Sequence, residues 1–244
     1  MNLKVIGTGS KGNAYLLENE EEAILIECGV NIKAIKQAIK FNIKKIVGCL
    51  VTHEHGDHAK SIKEVMAAGI QVYATEGTLK ACGVFGHHRV CTLVQTTFII
   101  GNFAVKGFDV EHDAAEPVGF LINHKETGNI LFLTDTVYSP YTFRGLNNII
   151  IEANYDGEIA KRKLSDMEFL RNRIIQSHMS IDTCIDFLNA NDITAVNNIV
   201  LIHLSDSNSH EKAFQYRVAK ATGKNVTVAY NGLEMEFNKT PFGI

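Results

Sequence analysis

The chain has 244 residues, of which 45% are hydrophobic, with a mean hydropathy of zero and a formal net charge of −3. That is enough apolar material for a substantial core in one domain spanning 1–244, and it sets aside a disordered chain or one coated in the basic footprint that grips long nucleic acid. With no run of about 18 apolar residues and no basic-then-apolar leader, the expectation is a soluble protein of the cytoplasm, away from membranes.

Strands are expected at 2–7, 13–18 and 22–27, followed by a helix at 31–41 with Ile32, Ile35, Ala38 and Ile39 on one face. Lys45 to Val51 is apolar and β-branched, reading as a buried strand, and Ala59 to Ala68 reads as a helix. Short β and α elements continue to about 94. Phe98–Ile100 and Phe103–Val105 form a hairpin across Gly101-Asn102, and Val118–Asn123 with Ile130–Leu133 form another. Helices are expected at 156–163, 166–176, 180–190 and 209–221, with two last strands flanking Asn231-Gly232. The five cysteines, at 28, 49, 82, 91 and 184, make no C-x-x-C pair and read as small core residues in a reducing compartment.

The chemistry concentrates in His53-Glu54-His55-Gly56-Asp57-His58, four metal-ligand side chains in six positions at a strand-to-helix turn. Gly56 is expected to let the turn fold tightly, so that His53 and His55 face one metal while Asp57 and His58 face a second. Histidines near helix starts are common without any metal, but burying this much polarity unligated would leave several groups unsatisfied. Imidazole and carboxylate without thiolate suit zinc, with manganese as a substitute. A dinuclear site needs about three further groups, and an apolar run delivers each: His112 after Phe108–Glu111, Asp135 after Ile130–Thr134, and His203 after Ile199–Ile202.

This series resembles the metal-ligand series of the metallo-β-lactamase superfamily along essentially the whole chain. The resemblance implies a four-layer αββα sandwich, two mixed β-sheets flanked by helices. It also implies two zinc ions, one held by His53, His55 and His112, the other by Asp57, His58 and His203, with Asp135 bridging. The bridging Asp, and the lack of a Cys ligand, are similar to the phosphodiesterase branch that includes RNase Z and YycJ-type nucleases. Gly7-Thr8-Gly9-Ser10-Lys11-Gly12-Asn13 and Gln176-Ser177-His178-Met179-Ser180 point to the same branch. There His178 is expected beside the metals as the proton donor to the leaving oxygen, suited by an ordinary pKa near ~6.5, and Asp57 to orient the nucleophile and accept its proton. Glu27 stands where the superfamily usually has Asp, an extra methylene that alters how the ligand loop is braced.

The net charge and the absence of a clamp insertion favour a small substrate. The only dense basic stretch is Lys161-Arg162-Lys163 with Arg171 and Arg173, which reads equally as a solvated face or an RNA contact. The Gly-Ser-x-Gly-Asn opening and His-Asp-Ala-Ala-Glu-Pro at 112–117 resemble the small cyclic nucleotide phosphodiesterases that phages use against Pycsar defence. The expected activity is hydrolysis of 3′,5′-cyclic nucleotides such as cyclic CMP, UMP, AMP and GMP by a homodimer, in the host cytoplasm if phage-encoded. A YycJ-like or RNase Z-like nuclease is the alternative, the one case in which nucleic acid is the partner. A thiolester or lactone hydrolase and a non-catalytic scaffold are further competitors. Tyr138, Tyr141 and Phe143 are candidates to wall the pocket, and His87, His88 and Arg89 to contact a phosphate or base. His124 and His210 read as ordinary surface residues.

Overall fold

Alternate residues along the central strands face two different cores, and that alternation builds the layers. The computed structural model describes residues 1–94 and 96–241. Its elements are β1 (Asn2–Gly7), β2 (Ala14–Glu18), β3 (Ala23–Ile26), α1 (Ile32–Ala38), β4 (Ile46–Leu50), α2 (Gly56–Ala59), α3 (Ile62–Ala67), β5 (Val72–Ala74), α4 (Glu76–Ala81) and β6 (Val90–Thr92). Then come β7 (Phe98–Ile100), β8 (Phe103–Asp109), β9 (Val118–His124), β10 (Gly128–Leu133), β11 (Leu146–Glu152), α5 (Gly157–Lys163) and α6 (Glu168–Ser177). The last are α7 (Ile181–Ala190), β12 (Asn198–Ile202), α8 (Glu211–Thr222), β13 (Asn225–Val228) and β14 (Glu234–Glu236).

The strands form two seven-stranded mixed sheets, ordered β14-β1-β2-β3-β4-β5-β6 and β13-β12-β11-β10-β9-β8-β7. Tyr15, Leu17, Ile24 and Ile26 from one sheet meet Phe120, Phe132, Ile150 and Val200 from the other in a central core. The opposite faces carry Leu16 and Leu25 against Ile35, Ile62 and Val65, and Ile149 and Leu201 against Leu188, Phe214 and Val218. This is the expected αββα sandwich. Both faces of the middle strands are buried, which is why they read as unbroken apolar runs.

Both sheets are parallel through β3-β4-β5-β6 and β10-β11-β12-β13. Their C-terminal ends therefore point to one edge. Glu27, Asp135 and His203, each just beyond such an end, have φ of 65, 47 and 54°. Left-handed backbone at three non-glycine residues costs free energy, and such conformations concentrate at functional sites.

Several expectations are corrected. Ala59 to Ala68 is two helices, broken at Lys60-Ser61, and the first begins at Gly56. The helix expected at 31–41 stops at Ala38, because Lys40 and Phe41 turn to φ of 51 and 60°. The two last strands join different sheets: β13 extends β12 and β14 pairs with β1. β11 went unrecognised in the sequence, although it is an interior strand of its sheet, between β12 and β10. No helix among the described residues is long and apolar enough to cross a membrane.

Candidate active site

β4 ends at Leu50, three residues before His53, and the chain turns through His55 into α2, which carries Asp57 and His58. The glycine that permits this packing is not Gly56. An added Cβ at Gly56 would meet nothing within 4 Å, whereas one at Gly29 would fall 1.7 Å from the carbonyl oxygen of Asp57. The loop after β3 thus lies directly on the ligand turn, tied by Cys28 N–H to His58 O at 2.8 Å, and the loop after β1 adds Asn13 N–H to Asp57 O at 2.7 Å.

The structure brings all seven predicted ligands together. The ligand atoms of His53, His55 and His112 lie within 4.8 Å of one another, as do those of Asp57, His58 and His203, while Asp135 shares a third group with His53 and His58. His112 Nε2 faces His55 Nδ1 at 3.2 Å, and Asp57 Oδ2 lies 3.2 Å from His203 Nε2 and 3.4 Å from His58 Nε2. Asp135 Oδ2 is 2.9 Å from His58 Nε2.

Two features fit this set to cations. His53 Nε2 is buried with no hydrogen-bond partner, while its Nδ1 is engaged by Thr52 Oγ1 at 2.9 Å. His112 donates from Nδ1 to Ser177 O at 2.8 Å, which fixes the tautomer and frees Nε2. Glu27 is fully buried and accepts from Thr52 N–H at 3.3 Å, but its Oε1 stops 3.6 Å from His58 Nδ1. The bracing is a long ion pair rather than a hydrogen bond, leaving Glu27 Oε2 and His58 Nδ1 unpartnered.

His178 caps the C-terminus of α6 in an extended conformation. Its Nδ1 lies 2.8 Å from Glu152 Oε1 and 3.0 Å from Asp135 Oδ1. Burial alone would lower its pKa, but these two carboxylates push it up to about 10 rather than leaving the ordinary value. Burial likewise opposes ionisation of Asp57, yet hydrogen bonds from His203 and His58 hold it far below the carboxylate range.

Two residues of the site, Glu152 and Asn154, escaped sequence reasoning, and Asn13 was read only as part of the 7–13 run. Glu152 is fully buried at the end of β11 and also accepts from Met179 N–H at 3.1 Å. Asn154 Nδ2 donates to His203 O at 2.8 Å, and Asn13 Nδ2 lies 3.1 Å from His58 Nε2. A signal for Glu152 existed: Ile149-Ile150-Ile151-Glu152 repeats the pattern of an apolar run ending in a ligand-type side chain.

Other candidates fall elsewhere. Tyr141 and Phe143 pack with Phe108 over a separate hollow, and Phe143 also reaches Phe187. Tyr138 donates to Glu111 Oε1 at 3.3 Å. His87, His88 and Arg89 line a different cavity beside Lys63 and Phe85, sharing no residue with the metal pocket. His124 is not a surface residue: it is 1% exposed, 3.3 Å from Glu22 Oε1 and packed on Phe103. His210 is exposed and caps α8.

Comparison with known proteins bears on this arrangement. The family profile described as Metallo-beta-lactamase superfamily matches residues 7–81, which contain the first four ligands. Over 237 residues the chain is 30% identical to exodeoxyribonuclease YycJ of Bacillus anthracis, covering 87% of this chain and 86% of that one. The chain belongs to the metallo-β-lactamase superfamily. A shorter match, 33% identity over 70 residues, links it to the anti-Pycsar protein Apyc1 of Saccharibacillus brassicae, covering 26% of this chain and 29% of that one. Among solved structures, the metallo-β-lactamase fold protein YhfI from Bacillus subtilis superposes with a TM-score of 0.73 at 13% identity, covering 96% of this chain and 99% of that one. Together with the His/Asp cluster, membership of this superfamily makes the protein a metal-binding hydrolase.

Proposed function

We propose that the protein is a two-metal phosphodiesterase acting on nucleic acid, an exonuclease similar to YycJ. One observation carries the choice over a mononucleotide. The metal pocket, about 250 Å³, adjoins a groove of about 1020 Å³ and shares His112, Asp113, Arg173 and Ser177 with it as lining. Clefts for drug-sized ligands run about 300–1,000 Å³, so this space suits a chain of nucleotides better than one. The extent of the match to the B. anthracis nuclease supports the same reading.

Bound divalent cations, zinc being the natural choice for these nitrogen and oxygen donors, would supply Lewis acidity and neutralise charge on the phosphodiester. His53, His55 and His112 would hold one, Asp57, His58 and His203 the other, and Asp135 would lie between. Asp57, on the pocket wall, orients the attacking group. His178 is at the rim with Nδ1 pinned by Glu152, so its Nε2 is the atom that gives a proton to the leaving oxygen. The homodimer expected from the resemblance belongs to the same proposal, and light scattering checks it.

Incubating the protein with a 5′-phosphorylated DNA oligonucleotide, cyclic CMP and cyclic AMP tests the reading. Stepwise shortening of the oligonucleotide is expected. Cleavage of the cyclic nucleotides alone would reject it in favour of the cyclic nucleotide phosphodiesterase expected from the resemblance.

A further inference from the structure

The groove beside the metal pocket has one wall made by α6. Phe169, Asn172, Arg173 and Gln176 all line it, at spacings i, i+3, i+4 and i+7, which places them on a single helical face. Phe169 is 85% exposed, an unusual position for a large aromatic ring unless something covers it. The side chains of Asn172, Arg173 and Gln176 make no hydrogen bond or ion pair among the described residues, although Glu111 and Asp113 line the same groove. Three uncommitted polar side chains and a bare ring therefore share one face. Arg173 and Ser177 also line the metal pocket, so the face runs without interruption into the cluster.

We propose that this face of α6 binds the nucleotides next to the phosphodiester being cleaved, an inference that rests on the nucleic-acid reading above. Arg173, at the junction, takes a phosphate, for which its planar fork of donors is suited. Phe169 lies one turn farther out, about 6 Å along the helix axis, and stacks on a base. Asn172 and Gln176 offer amides to the sugar or the base edges. The acidic groups Glu111 and Asp113 repel a phosphate chain, so the backbone runs along the α6 side and the base edges face the acids. The arrangement binds through stacking and one charge rather than through a broad basic surface. That is how a chain of net charge −3 can hold a strand end without gripping long duplexes.

The experiment compares kcat/KM for a 5′-phosphorylated dinucleotide, a 5′-phosphorylated hexanucleotide and bis(p-nitrophenyl) phosphate in the unaltered protein, Phe169→Ala, Phe169→Tyr and Arg173→Met. The unaltered protein is expected to prefer the hexanucleotide. Phe169→Ala and Arg173→Met should each lower the ratio of hexanucleotide to bis(p-nitrophenyl) phosphate activity by roughly ten-fold, and Phe169→Tyr, which keeps the ring, should restore it. An unchanged ratio, or an equal fall on all three substrates, overturns the subsite and leaves the nuclease reading standing. A change of oligomeric state with an unchanged ratio also overturns it, marking the face as a contact between copies. If the unaltered protein hydrolyses bis(p-nitrophenyl) phosphate but neither oligonucleotide, the nuclease reading falls and the subsite with it.

Discussion

Glu152 holds His178: the carboxylate at the end of β11 lies 2.8 Å from the imidazole Nδ1, and it is fully buried while the ring reaches the pocket. A buried carboxylate behind an imidazole fixes its tautomer and favours its protonated form. Replacing His178 by Ala is expected to lower kcat about 10²–10⁴-fold with metal content retained. Glu152→Gln should give a smaller loss. Steady-state kinetics with metal analysis check both, and full activity in His178→Ala removes the proton-donor role.

Gly29→Ala should be among the most damaging single substitutions in the chain, because its Cβ would fall 1.7 Å from a backbone oxygen of the ligand turn. A loss of about 3 kcal/mol or more is expected, together with weakened metal binding. Gly56→Ala is the contrasting case: open space surrounds it at the start of α2, so its stability should change by less than about 1 kcal/mol. Denaturant unfolding of the two variants reads the difference directly.

Chelation should both silence and soften the protein. Without cations the cluster crowds His53, His58, Asp135 and Asp57 and leaves His53 Nε2 buried and unpartnered. Treatment with EDTA is expected to abolish hydrolysis and lower Tm, and zinc or manganese should restore both. A chelated protein with unchanged Tm and activity would contradict the metal centre.

Glu18 sets an acid-side stability limit far from the site. Burial opposes its charge, but Lys4 at 2.6 Å and Lys45 at 3.2 Å outweigh that and hold its pKa below 4.5. Because the folded value is depressed, its contribution is present above pH 4.5, the unfolded reference, and is lost as pH falls through the folded value. Glu18→Gln should therefore cost about 1 kcal/mol at neutral pH and less as pH falls below 4.5, seen by urea unfolding across that range.

The ligands were legible because four crowd into residues 53–58 and His112, Asp135 and His203 each follow an apolar run, a pattern that strands ending at one edge produce. The layers were legible for the same reason: residues 14–18 and 23–26 have no polar face to expose. What stayed hidden depends on through-space packing. Gly29 and Asp57 are far apart in sequence, so nothing local marks the close approach. The burial of His124 against Glu22 and Phe103 is likewise a tertiary event. Loop aromatics such as Phe143 cannot announce whether they wall a pocket or fill a gap beside Phe108.

The crossing of the last two strands has a consequence for how the chain becomes a protein. β14 lies against β1, pairing Asn2 with Glu236, while β13 lies at the edge of the other sheet. Such distant pairing is slow to form, and during synthesis the segment carrying β13 and β14 must emerge before the two sheets gain these strands. Until then β1 offers a bare edge to neighbouring chains, so nascent copies should depend on chaperones more than a protein of this size with local connections would.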